Sequence, residues 1–172
     1  MIERVGGAAP LERPAPPGAD GDAPSQAPPG ALPFRRFLLA VRPGEPNPRL
    51  WGVVGDLLRA RAHGVVCHVV VRPTTAAAND ADGSPANSEE AAINQELRSR
   101  LIDRLGTAGR DLPIRILHGD PGERICEYAE FAACDLIVLA RRGKPSFGRW
   151  ARGSVSRRVA ATTRRSVLLV GD

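Results

Sequence analysis

Apolar side chains between Phe34 and the end of the chain fall into two alternating patterns. One is a short, largely apolar run, found at Phe37–Val41, Val65–Val71 (broken by His68), Leu136–Leu139 and Val167–Val170, with Leu112–Leu117 a shorter strand that includes Arg115. Runs of this length, rich in β-branched residues, predict strands buried on both faces. The other pattern recurs every three or four residues and predicts helices. Leu50, Trp51, Val54, Leu57 and Leu58 form the first, with Asn47 as N-cap, Pro48 in the first turn and Gly64 placed to end it. Ile93, Leu97, Leu101 and Leu105 form the second, capped by Ser88, with Glu89 and Glu90 in its first turn and Gly106 and Gly109 closing it. Ile125, Tyr128, Ala129 and Ala132 form the third, behind Asp120, Pro121 and Glu123. A short helix opens at Gly153 and Ser154. The polar stretch Thr74–Asn87 reads as a loop.

Strands alternating with helices specify an α/β fold, a doubly wound five-stranded parallel sheet with helices on both faces. Such sheets bind ligands beyond the carboxyl ends of the strands, where the strand order reverses. Arg42–Asn47 and Arg141–Arg152 are the segments expected at that rim.

Composition narrows the picture. Residues 1–33 hold half of the 16 prolines and almost no large apolar side chains, which predicts a disordered tail before one folded domain at 34–172. No apolar run approaches the ~20 residues needed to cross a bilayer. The first residues lack a leader's apolar segment, so the expected location is cytoplasmic. Cys67, Cys126 and Cys134 are too few and too irregular for a disulfide framework or zinc site, and are expected as reduced core residues. The formal net charge is +5. Between Leu136 and Gly171 every charged residue is cationic, Arg141, Arg142, Lys144, Arg149, Arg152, Arg157, Arg158, Arg164 and Arg165. An anion is the natural partner.

The loop ARRGKPSFGRWARGS has the character of a phosphate site, because glycine lets backbone amides approach a ligand and a helix start offers unpaired N–H groups. The helix dipole supplies only ~0.3–1 kcal/mol of that attraction, so arginines and directed amides must carry the rest. Trp150 could stack on a base or pack on the sheet end. Ser146, Ser154 and Ser156 could accept phosphate or act only as loop and capping residues. His63, His68 and His118 share no spacing; His68, within an apolar run, is expected as a satisfied core residue. Asp120 and Glu123 are explained by capping. No catalytic apparatus is visible.

The phrases GDPGERICEYAEFAACDLIVLARRG and GSVSRRVAATTRRSVLLV resemble the universal stress protein family over residues 34–172. That resemblance implies the strand order 3-2-1-4-5 and a nucleotide between the first and fourth strands. By position it implies that Arg42 and Val69 meet the adenosine part and that Ala140, Gly143, Gly153, Ser154 and Val155 hold phosphates, with Ala40, Val41, Leu139, Arg141 and Arg142 flanking them. Two positions depart from the family's pattern. Ala140 replaces the first loop glycine, and Arg42 replaces an aspartate with a side chain that only donates hydrogen bonds.

The implied function is a regulatory module in stress response that binds ATP or a related adenine nucleotide, with Mg accompanying ATP. It is expected to be a homodimer through its last strand. The alternative is a dimeric interaction module that has lost its ligand. Nucleic-acid binding through the C-terminal arginines ranks third, because those on the helix also read as a solvated face.

Overall fold

The computed structural model describes residues 33–71, 85–141 and 155–171. The expected tail falls outside the described residues but for Pro33, and so does the expected loop Thr74–Asn87 up to residue 84, while residues 85–87 open α2 instead. The elements run β1 (Arg36–Ala40), α1 (Pro48–Arg59), β2 (His63–Val70), α2 (Pro85–Leu105), α3 (Thr107–Arg110), β3 (Ile114–His118), α4 (Pro121–Phe131), β4 (Leu136–Ala140), α5 (Val155–Thr162) and β5 (Ser166–Val170). All five strands are parallel, in the order β3-β2-β1-β4-β5.

The apolar runs are explained by a core on each side of the sheet. In β1, Phe37 and Leu39 point into the layer under α1 and α2, while Leu38 points into the layer under α4 and α5. In β4, Leu136 and Val138 alternate in the same way with Ile137 and Leu139. A strand covered on both faces has no position left for a polar side chain. The helices contribute one stripe each: Leu50, Trp51, Val54 and Leu57 from α1, Leu97 and Leu101 from α2, Ile125, Tyr128 and Ala129 from α4. Asp135 aligns β4 with β1, its carboxylate accepting from the Arg35 and Arg36 amides at 2.8 and 3.1 Å.

Three local expectations are corrected. First, α1 stops at Arg59, and Arg61, not Gly64, takes the left-handed turn, with φ 62°. Gly64 lies inside β2, opposite Phe37 in the register. A Cβ there would overlap the Phe37 ring and come within 2.8 Å of Leu112, so glycine is required by packing and not by the helix end. Second, Gly109 does not close α2 but sits in the added turn α3, where a Cβ would overlap the Leu101 carbonyl. Third, α2 begins at Pro85, so Ser88 lies within the helix and not at its cap.

The cysteines are free and buried, as expected. Burial pushes the Cys134 thiol up to about 11, and burial with Cys134 nearby pushes Cys67 higher still. Both stay protonated and unreactive at neutral pH.

Overpacking a filled site costs about 1–3 kcal/mol, so Gly64→Ala should lower the unfolding free energy by that amount in a urea titration. An unchanged midpoint would mean that the Phe37 ring has room to move.

Candidate functional site

The strand order reverses between β1 and β4, since α1 leads away from β1 toward β2 while α5 leads from β4 to β5. The carboxyl ends of β1 and β4 therefore diverge into a crevice. Their last register pair is Ala40 with Leu139.

The β1–α1 connection is built by its sequence. Pro43 and Gly44 occupy the middle of a four-residue turn closed by the Glu45 amide donating to the Arg42 carbonyl at 3.2 Å, with Gly44 at φ 74°. Proline followed by a positive-φ glycine is the type II pattern. The turn folds Arg42 onto Glu45, whose carboxylate oxygen lies 3.6 Å from the guanidinium. Glu45 is 7% exposed and its backbone carbonyl accepts from Arg100 of α2 at 2.8 Å. The Arg42 side chain remains 52% exposed. The pair thus joins an exposed guanidinium to a buried carboxylate.

Asn47 then fixes the start of α1. It is 1% exposed; its Oδ1 accepts from the Leu50 amide at 3.1 Å and its Nδ2 donates to the Val170 carbonyl at 3.0 Å. The same carbonyl accepts from the Arg141 amide at 2.7 Å. One residue at the end of β5 thus holds the exits from both β1 and β4.

The remaining candidates divide by face. Ala40, Val69, Leu139 and Val155 pack into or against the layer under α4 and α5. Val41 and Ala140 belong to the opposite layer. Val41 is 5% exposed, its amide donating to the Cys67 carbonyl at 3.0 Å and its carbonyl accepting from His68 Nδ1 at 2.9 Å. A carbonyl only accepts, so Nδ1 carries the proton. The expected satisfied histidine is therefore satisfied by a residue of the rim. Arg42 and Arg141 lie just beyond the ends of β1 and β4 and are both exposed. Arg142, Gly143, Gly153 and Ser154 lie outside the described residues, as do Ser146 and Trp150.

Arg158 clamps the start of α5's surroundings. Its guanidinium reaches Asp120 Oδ2 at 2.8 Å and Glu123 Oε1 at 2.9 Å, and its stem lies over Gly122, where a Cβ would meet Arg158 Cδ at 2.6 Å. Asp120 also caps α4 by accepting from the Glu123 amide at 3.1 Å. The pair expected from capping alone has a second role in docking α5. Among the described residues there is no cluster of three metal-ligating side chains.

Sequence reasoning missed Glu45 and the reach of Asn47. Glu45 was signalled by its spacing of three from Arg42 across Pro-Gly. The link from Asn47 to Val170 spans 123 residues and has no local signal.

The model of the Universal stress protein family matches residues 33–171. No curated protein matches the chain. Among solved structures, a universal stress protein in complex with cAMP is 22% identical, covering 80% of this chain and 97% of its own at a TM-score of 0.58. The universal stress protein UspA from Lactobacillus plantarum is 23% identical over 80% and 97%, also at 0.58. The universal stress protein from Archaeoglobus fulgidus in complex with dAMP is 18% identical over 80% and 98%, at 0.52. At these identities the shared property is the fold.

The Asn47 contacts predict that Asn47→Ala, which removes a cap and a buried donor together, costs about 2 kcal/mol or more in urea unfolding. Asn47→Asp keeps the cap acceptor but turns a carboxylate toward a carbonyl, so it should also destabilise. Wild-type stability in both variants would contradict the double role.

Proposed function

The chain belongs to the universal stress protein family, and we propose that it is a regulatory module of a stress response that binds ATP or a related adenine nucleotide over the β1–β4 rim. The observation that carries this reading is the reversal of strand order at a rim with apolar residues on one face and arginines at the strand exits. Ala40, Val69 and Val155, partly buried on one face of the sheet beside the buried Leu139, supply apolar contacts suited to a base. Arg42 and Arg141 offer donors suited to phosphate. Gly143, Gly153 and Ser154 supply amides and a hydroxyl to the phosphates, and Mg accompanies the triphosphate. Two proteins of this fold hold cAMP and dAMP, which makes adenine nucleotides the class to test.

Arg42 shapes the preference. Its exposed guanidinium has N–H groups beyond the one that faces Glu45, so it can donate to a phosphate oxygen without giving up that pairing, whereas it gives ribose hydroxyls no acceptor. Affinity then rests on the phosphates, and adenosine alone binds poorly. Calorimetry with AMP, ADP and ATP should show saturable binding at or below millimolar concentration, with adenosine far weaker. Arg42→Asp should strengthen adenosine binding by about tenfold by supplying a charged acceptor. Absence of heat with all three nucleotides would sink the reading.

The module also pairs with a second copy through β5. This strand ends the sheet, carries no charge from Ser166 to Val170, and leaves Leu168 and Leu169 each 38% exposed. An uncharged apolar edge is suited to pairing with another strand. The protein should elute as a dimer at micromolar concentration, and Leu168→Lys should shift it toward monomer. A wild-type monomer would exclude the pairing.

A further inference from the structure

The connections that lead into the five strands meet at the end of the sheet opposite the rim. They are residues 33–36, 60–63, 110–113, 132–135 and 163–166, and they hold six arginines, Arg35, Arg36, Arg61, Arg110, Arg164 and Arg165, against two aspartates, Asp111 and Asp135. The Asp135 carboxylate already faces the Arg35 and Arg36 amides. In the adjoining last turns of α1 and α4, Asp56 and Glu127 are paired with Arg59 and Arg124, which leaves Glu130. This end of the molecule is cationic.

The register sets four of these side chains in a row. Arg36 lies opposite His63, Phe37 opposite Leu136, and Leu136 opposite Ser166, so β2, β1, β4 and β5 start level with one another. The His63 amide donates to the Arg35 carbonyl at 2.8 Å, the Asp135 amide to the Arg36 carbonyl at 2.9 Å and the Ser166 amide to the Asp135 carbonyl at 3.3 Å. Arg61, Arg35 and the pair Arg164 and Arg165 therefore stand just outside β2, β1 and β5. At ~4.8 Å between neighbouring strands the row is about 15 Å long. All four are exposed and, among the described residues, none has a side-chain hydrogen bond or an ion pair.

The last helix does not account for them. α5 ends at Thr162, so Arg164 and Arg165 stand off its solvated face. The carboxyl end of a helix favours a nearby cation, which explains one arginine after α1 and one after α5. Neither end calls for Arg35, at the start of β1, or for a second arginine before β5.

We propose that this end binds the phosphate backbone of double-stranded nucleic acid without reading its sequence. A duplex strand advances ~3.4 Å per phosphate, so about four phosphates lie along the row. Every cation in the row is an arginine, whose planar fork fits phosphate oxygens where a lysine offers only a point charge. Single-strand binders add stacking on aromatic rings, and the rings of Phe37 and Tyr128 at this end are buried. A lipid surface asks for a second, apolar signal beside basic charge. The large exposed apolar side chains are Val71, Leu168 and Leu169, none of them in these connections. The surface is separate from the nucleotide rim and does not rest on that reading.

The test is fluorescence anisotropy of a short labelled duplex titrated with the full chain over a range of salt, with a single strand of the same length and poly-glutamate run alongside. Four phosphate contacts give a slope of about −3.6 in log K against log salt, so affinity should fall roughly a hundredfold between about 50 and 200 mM salt. Duplexes of unrelated sequence should bind equally and the single strand more weakly. Arg35→Gln with Arg165→Gln should halve the slope, and adding Arg61→Gln and Arg164→Gln should bring it close to zero. Lys144→Gln with Arg149→Gln, an equal change of net charge elsewhere in the chain, should keep the wild-type slope. The paired change decides the matter if circular dichroism shows that four changes disturb the fold. The inference is overturned by no binding at the lowest salt, by a single strand that binds as tightly as the duplex, or by a preference among sequences. It is equally overturned by displacement with poly-glutamate at equal charge, which would make the partner an acidic protein, by a wild-type slope after Arg35→Gln with Arg165→Gln, or by a reduced slope after Lys144→Gln with Arg149→Gln.

Discussion

The rim depends on β1 being hydrogen-bonded in parallel on both sides, to β2 at Arg36–Ala40 and to β4 at Phe37–Ala40. A strand paired on both edges and covered on both faces can carry only apolar side chains, and Phe37, Leu38 and Leu39 are each fully buried. Its neighbours are reached by crossovers that leave in opposite directions, because right-handed connections to β2 and β4 pack on opposite faces. The crevice between the exits of β1 and β4 is a consequence of topology. Its chemistry is then set by the few residues that follow each strand.

Those residues are held from a distance. The Val170 carbonyl receives both Asn47 Nδ2 and the Arg141 amide, so the end of β5 fixes two loops that are remote from each other in sequence. His68 fixes Val41 from the other side. Arg158 joins α5 to the capped start of α4. These contacts link the fold's stability to the geometry of the rim. Changes at β5 or α4 therefore reach the crevice without touching a ligand.

The sheet was legible in the sequence because its strands are largely apolar runs, nearly unbroken in β1, β4 and β5, and its longer helices each have an apolar stripe. Asn47 and Asp120 were legible as caps because capping is local chemistry. What escaped was decided by tertiary packing. Gly64 looks like a helix terminator, yet the Phe37 ring beside it on the next strand dictates its lack of a side chain, and Arg61 bears the left-handed turn instead. Gly109 looks like a stop but is a close-approach point beneath Leu101. At the candidate site, Ala40, Val69, Leu139 and Val155 came together on one face as the strand order implied. The role of Glu45 escaped although it stands three residues from Arg42 across Pro-Gly, because the two meet only when Gly44 folds the turn back.

The central claim is that an adenine nucleotide binds at the β1–β4 rim, and an amide chemical-shift map with AMP tests it most directly. The account predicts saturable shifts at Val41, Arg42, Val69, Ala140 and Arg141, with Arg36 and Arg115 at the far end of the sheet undisturbed. Saturable shifts confined to the far end, or none at the carboxyl ends of β1 and β4, would contradict it.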